Sequence, residues 1–380
     1  MITKLKNIGT VITGNTPKTS EEKNYATPDI PFVKPSDLCN ETITLIDDTE
    51  FHISEYARDK ARIVPVNSVF MTCIGIIGKV GINNCECAFN QQINVVVPNT
   101  KKCLCEYLAY ALVNKKDIIQ ATANAPVVPI LNKTQFENIE IDIPNLEKQK
   151  EVVAVLTKID YLISTRKQQV LKLDELIKSR FIELFGNINL NDKNWAIEPL
   201  GNLCEISRGG SPRPIEQYLG GTVPWIKIGD ASDGDNIYLN STKEHILETG
   251  VKKSRLVKRG SLIFANCGVS LGFARIITFD GCIHDGWLAF ENIDSRLNKI
   301  FLLKSLNQMT EHFRAIAPAG TQPNLNTAIM KVYMQIIPPI ELQKDYVSFV
   351  EQTDKLKFEA KQSLEKLEML KKALMQEYFG

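Results

Sequence analysis

EKQKEVVAVLTKIDYLISTRKQQVLKLDELIKSRFIEL, residues 147–184, contains no proline or glycine and carries apolar side chains at Val152, Leu156, Ile159, Ile163, Val170, Leu173, Ile177 and Leu184. With Arg166 and Arg180 counted as occupants of the same line, the gaps alternate four and three, the heptad stripe of a helix that packs along another helix. At ~1.5 Å per residue such a helix is about 55 Å long. It breaks at Phe185-Gly186, and the chain itself closes on Phe379-Gly380 after a similar run. In that second run Ala360, Leu364, Leu367 and Leu374 keep the register, Lys357 and Lys371 interrupt it, and Leu356 and Leu370 sit one step away. Neither run is apolar all round, so each stripe is most simply covered by the other. Because globular sequence and helix alternate along the chain, the expected pair is antiparallel. The charged seam positions either specify pairing at some cost in stability or extend their heads to water, and the sequence leaves both readings open.

The double ending reflects a double chain. IPFVK (30–34) returns as VPWIK (223–227), NSVFMTCIG (67–75) as GSLIFANCG (260–268), VPILN (128–132) as QPNLN (322–326), and Glu147 and Gln149 as Glu341 and Gln343. The offsets are 193 or 194, half the chain. Self-similarity at a fixed period marks a repeated structural unit. Within each copy, short Val-, Ile- and Phe-rich runs bounded by Gly, Pro and Asn predict strands. CEYLAYALVNKK and KIFLLKSLNQ predict short helices, and the long helix follows. The expected segments are residues 1–145 and 187–339 as globular parts, with 146–186 and 340–380 as helices.

Composition excludes more than it selects. The chain of 380 residues balances 45 basic against 44 acidic side chains, a net charge of +1. Residues 1–145 carry 14 basic and 16 acidic side chains (−2), and residues 191–339 carry 16 and 14 (+2). Neither copy is a basic module in bulk. No apolar stretch is long enough to span a bilayer, and the opening MITKLKNIGT lacks a signal-peptide core, so a cytoplasmic protein with no membrane partner is expected. Nine scattered cysteines suit reduced thiols. Cys85, Cys87, Cys103 and Cys105 form two C-x-C pairs that could offer four thiolates to zinc. The second copy lacks the counterparts of Cys103 and Cys105, so incidental cysteines are the expectation and no metal is assigned. Motifs for nucleoside triphosphates, zinc proteases and serine hydrolases are absent. Gly75 to Gly81 sits between strands and is a turn, and His284-Asp285 is read as a polar surface contact. No catalytic residue is assigned.

The twice-used plan of globular part plus helix, the blocks IPFVKPSDL and VPWIKIGD, the later PILN and QPNLN, the Pro-Glu-Gln pattern at each helix start, and the terminal Phe-Gly together resemble the specificity subunit of a type I restriction-modification system. The resemblance covers essentially the whole chain. It implies an α+β fold in which two pseudo-symmetric globular target recognition domains are joined by two long antiparallel coiled-coil helices. It also implies a non-catalytic subunit that reads a bipartite target in double-stranded DNA. The implied partners are two methyltransferase subunits and, in the nuclease form, restriction subunits. S-adenosylmethionine, ATP and Mg would then belong to those partners and not to this chain. Readers that meet successive major grooves on one DNA face stand roughly 34 Å apart or a multiple of it. A non-catalytic coiled-coil scaffold that joins proteins without DNA readout is the competing reading.

Base reading is expected from the loops that recur: Thr13, Asn15, Thr16 and Lys18 with Arg208, Ser211 and Arg213; Lys34 and Ser36 with Lys227; Asn90, Gln91 and Gln92 with His284 and Asp285; and Thr321 with Gln322. Amides suit adenine edges, and Arg or Lys suits guanine. The alternative for each loop is turn chemistry alone. Lys252, Lys253 and Arg255, with Lys258 and Arg259, form the clearest basic run. It is either a phosphate contact or solvated surface. The first-copy loop ATANAPVVP (121–129) is more apolar than APAGTQP (317–323) and offers fewer polar contacts.

Overall fold

The computed structural model describes residues 1–122, 129–231, 237–268, 270–317 and 324–380. They divide into two compact units, Met1–Lys167 with Lys361–Gly380, and Gln168–Ala360.

In the first unit a five-stranded sheet runs in the order Gly9–Thr13, Ile93–Pro98, Val69–Thr72, Val80–Asn83, Thr44–Ile46, and its last pairing is parallel. A four-stranded sheet runs His52–Ile53, Ile30–Val33, Cys87–Phe89, Ile63–Val64. Val69–Thr72 is buried on both faces. Val69 and Met71 pack toward the helix Cys105–Asn114, and Phe70 turns the other way, onto Val33, Phe89 and Ile93. This is the period-2 alternation that lets one strand serve two cores.

The second unit repeats the scheme with different side chains. Its sheets run Glu205–Arg208, Trp287–Glu291, Leu262–Ala265, Ala274–Ile277, Tyr238–Leu239, and Glu244–Ile246, Leu219–Ile226, Gly281–Ile283, Arg255–Val257. Leu262 and Phe264 face the helix Lys299–Gln308, whereas Ile263 and Ala265 face Ile226, Ile283 and Trp287.

The two long helices are Leu146–Phe185 and Ile340–Phe379. Each starts the same way. Gln149 is fully buried, accepts from the Leu104 amide and donates to the carbonyls of Lys102 and Pro144. Gln343 does the same with Asn298, Arg296 and Pro338. One glutamine thus satisfies one amide and two carbonyls of the segments beside the helix start, and fixes the helix to its domain.

Within the first unit, Lys371 pairs with Asp160 at 2.5 Å and Glu368 with Lys167 at 3.2 Å. Within the second, Lys357 pairs with Asp174 at 2.5 Å and the Tyr346 hydroxyl reaches the Ile177 carbonyl. Numbers rise on one helix as they fall on the other, so the helices are antiparallel in both units. Leu156, Ile159, Ile163, Ile177 and Ala360 are buried, while Val170, Leu173, Leu364, Leu367 and Leu374 are half-buried. Lys357 and Lys371 are the charged residues that interrupt the apolar stripe. Both lie in the seam, Lys357 nearly sealed, and each is neutralised by an aspartate of the facing helix, while Leu356 and Leu370 point outward.

The helix ends answer the Phe-Gly repeat. Phe185 is fully buried against Phe301 (ring centroids 4.7 Å apart) and Tyr346 (5.4 Å), and Gly186 leaves the helix at φ +76. That positive φ suits a glycine just past a helix end. In the first unit Phe379 packs tilted against Tyr107, ring centroids 5.1 Å apart, and Asn114 donates to the Phe379 carbonyl. The first unit therefore takes its last helical layer from the end of the chain.

Candidate nucleic-acid interface

In each unit one loop is pinned across the ends of two strands by a glycine. Gly14 donates to the Ile93 carbonyl and Asn15 to that of Phe89. Gly209 and Gly210 donate equivalently to Trp287 and Ile283. A Cβ on Gly14 would stand 2.1 Å from the Asn90 oxygen, and one on Gly209 2.2 Å from the His284 oxygen. Only glycine fits there. Gly14 matches Gly209, and Asn90 matches His284, so the recurring loops occupy one address in both units.

In the first unit this address gathers Thr16, Gln91, Asn90, Gln92, Lys34 and Ser36. The Thr16 hydroxyl donates to Gln91 Oε1 at 2.7 Å. Asn90, almost fully buried, spends its side chain on Gln92, donating to Oε1 and accepting from the Gln92 amide. It therefore builds the turn, and Gln91 is the exposed amide beside it. Thr13 bonds Asn94, and Asn15 bonds the Lys60 carbonyl and the Arg62 amide, so both hold the loop. Lys18 lies exposed beyond Thr16. Lys34 ends its strand, its amide donating to Asp37 and its ammonium lying over the Phe51 ring. A cleft of about 430 Å³ opens between Lys34, Ser36, Lys79, Asn90 and Gln92. An aromatic hollow of about 750 Å³, walled by Tyr25, Phe32 and Phe51, lies on the other side of Lys34.

In the second unit, Arg208 donates to the Asp285 carbonyl, and Ser211 donates to Asp285 Oδ1 at 2.8 Å. Gly286 donates to His284 Nδ1, leaving the ring proton on Nε2, 2.9 Å from Asp285 Oδ1. Burial lowers the His284 pKa, Asp285 pulls it back up, and Lys227, Arg213 and Arg208 push it down, so all five groups act on one patch. Lys227 ends its strand as Lys34 does, and its ammonium pairs with Glu244. Arg255 braces the Arg208 carbonyl and Lys253 donates to the Tyr218 hydroxyl, while Lys252 is exposed.

The basic run does not act as one cluster. Its strand carries Arg255 beside Ile283, next to this patch. Lys258 and Arg259 follow at the other end of that strand and engage Asp280. Thr321 and Gln322 lie outside the described residues. Sequence reasoning missed Arg62, whose guanidinium donates to the Thr13 carbonyl as Arg255 does to that of Arg208. The repeat held the signal, since Arg62-Ile63-Val64 stands where Arg255-Leu256-Val257 recurs. Phe51 and Tyr218 carried no such mark.

Among the described residues no group of three or more His, Cys, Asp or Glu side chains could hold a metal. Burial raises the thiol of Cys87 and pushes Cys103 and Cys105 up to about 12, so they stay protonated. No helix among those residues is long and apolar enough to cross a membrane.

Comparison with known proteins bears on the family and the fold. A specificity subunit of the type I restriction enzyme MjaIX from Methanocaldococcus jannaschii is 29% identical over 297 residues, covering 72% of this chain and 68% of that protein. A solved chain described under complex assembly and conformational transition of the type I R-M system covers 100% of this chain and 97% of its own, with TM-score 0.64 and 15% identity. The S subunit of a type I restriction-modification system from M. genitalium aligns with TM-score 0.60 and 14% identity over 100% of this chain and 96% of its own. At such identities these two structures speak to the fold alone. The family described as type I restriction modification DNA specificity domain matches residues 1–173 and 192–369, covering both copies of the repeat. The chain belongs to the type I restriction-modification DNA specificity family.

Proposed function

We propose that this specificity subunit reads a bipartite target in double-stranded DNA, one half with each unit, and presents it to two methyltransferase subunits and, in a nuclease form, to restriction subunits. The chain itself is non-catalytic and acts in the cytoplasm, with S-adenosylmethionine and ATP/Mg held by its partners. The observation that carries the reading is the shared address with unlike contents: the same glycine-pinned loop presents Thr16, Gln91 and Lys34 in one unit and Arg208, Ser211, Asp285 and His284 in the other. Two readers of one build and different polar groups suit two unlike base sequences.

Two partner copies find support in the helices. Leu162 and Leu176 are both exposed, as are Leu356 and Leu370, 194 residues further on. Leu162 and Leu370 belong to the first unit and Leu176 and Leu356 to the second, so each unit exposes one such leucine from each helix, which suits two copies of one partner. The near-neutral charge of each unit implies that affinity depends on the assembled complex enclosing the duplex, since counterion release scales with the phosphates neutralised. Co-expression with a candidate methyltransferase subunit, followed by methylome sequencing, tests the reading. A methyl mark at a two-part target with a fixed gap is expected. No sequence-specific mark would favour a scaffold, and a mark made without any partner would make the chain an enzyme.

A further inference from the structure

We infer that Gln91 and Asp285 are the matched specificity-determining residues of the two units, reading opposite halves of the major-groove hydrogen-bond code. The inference rests on the DNA-reading function proposed above and names what each unit reads. Gln91 donates to an acceptor edge, a purine N7, guanine O6 or thymine O4. Asp285 accepts from an exocyclic amine, cytosine N4 or adenine N6.

The two residues share one mounting. Each follows the residue whose carbonyl meets the loop glycine, Asn90 or His284, and each is held by the hydroxyl two residues beyond that glycine. Thr16 donates to Gln91 Oε1 at 2.7 Å, and Ser211 to Asp285 Oδ1 at 2.8 Å. The hydroxyl consumes an acceptor position in both cases, and what remains differs. Gln91 is exposed with its Nε2 hydrogens unengaged among the described residues, a donor on a fixed stem. Asp285 Oδ1 also faces His284 Nε2, and Oδ2 carries no hydrogen bond among those residues, leaving a pure acceptor.

A carboxylate in this place calls for a reason. Arg208 donates to its backbone carbonyl, and Arg208, Arg213 and Lys227 all act on the adjacent His284, as phosphate binding would favour, yet the carboxylate itself repels phosphate. Duplex DNA offers a major-groove acceptor few donors to meet, only the exocyclic amines of cytosine and adenine. Asp285 therefore gains from a base edge and from nothing else on the duplex. The same mounting with a glutamine does the reverse, so the two units, alike in backbone, meet opposite kinds of group on a base edge at this position, an acceptor in one and an amine in the other.

Isosteric exchange tests this without disturbing the mounting. Asp285→Asn keeps an oxygen for Ser211 and replaces the free acceptor with a donor. Gln91→Glu makes the opposite change. Each variant is co-expressed with the methyltransferase subunit and its methylome sequenced. Asp285→Asn should alter the base requirement at a single pair of one half-site, with discrimination there changed by roughly ten- to a hundredfold. The other half-site stays as in the wild type and reports that the complex is folded and active. Gln91→Glu should change a single pair of the other half-site toward an amine-bearing base. Unchanged targets in both variants, or a uniform fall in methylation at all sites, would overturn the inference and leave Asp285 as a loop brace. A wild-type complex that leaves no sequence-specific mark would overturn the DNA-reading function together with it.

Discussion

Replacing Asp174 with alanine removes the partner of an ammonium that has almost no access to water. The Lys357 side chain is 8% exposed and that of Asp174 32%, so the two ends of the pair are unequal. Asp174→Ala leaves a buried charge uncompensated and should cost about 3 kcal/mol. In Lys357→Ala the surviving carboxylate, already 32% exposed, keeps its access to water, and the cost falls to about 1–2 kcal/mol. Leucine at both positions should come within about 1 kcal/mol of the wild type, since apolar replacement of a buried pair is often neutral or stabilising. All three tryptophans, Trp195, Trp225 and Trp287, lie in the unit Gln168–Ala360 that contains this pair. Tryptophan fluorescence during urea unfolding therefore reports the correct unit. With a slope of about 2 kcal/mol/M, Asp174→Ala should lower the midpoint by about 1.5 M. The loss should persist in 1 M salt, where exposed pairs are screened. An Asp174→Ala midpoint equal to the wild type, or a leucine pair as unstable as that single variant, would refute the view that the seam holds a buried ion pair.

Gln149→Ala and Gln343→Ala should each cost about 2–4 kcal/mol, because each orphans one buried amide and two carbonyls. Faster hydrogen exchange at Leu104 and Asn298 would show it. Gly14→Ala and Gly209→Ala force a Cβ against a backbone oxygen, an overpacking cost of about 1–3 kcal/mol. In the assembled complex each should impair recognition of one half-site and spare the other, as methylation of half-substituted targets would report. His284 should titrate below its ordinary 6.5, with burial as the main cause. The unfolded state then binds the proton more readily, so the contribution of this group to stability is full above 6.5 and lost as pH falls through the lower folded value. An imidazole NMR titration with its midpoint at or above 6.5 would contradict this.

Much of the architecture was legible because duplication turns weak blocks into a register. Val152 to Leu184 announced a helix seam, and Glu147-x-Gln149 with Glu341-x-Gln343 marked where each helix begins. The seam lysines were not legible as partners. Whether Lys357 meets Asp174 depends on which face of the other helix it meets, a tertiary fact that spacing within one helix does not contain. The candidate site was legible as loops and less so as side chains. Asn90 looked like a base-reading amide but is consumed by its own turn, and Lys34 and Lys227 place their ammonium groups on Phe51 and Glu244. The run from Lys252 to Arg259 looked continuous, yet a strand three residues long carries its ends to different neighbours. Arg62 was recoverable by applying the repeat to every residue of the Arg255 block.

The most direct test of two non-equivalent readers on one duplicated frame is exchange of residues 1–145 for the corresponding part of another family member, with methylome sequencing of the complex before and after. The account predicts that one half of the target changes while the other half and the gap between them stay the same. A change in both halves would contradict it.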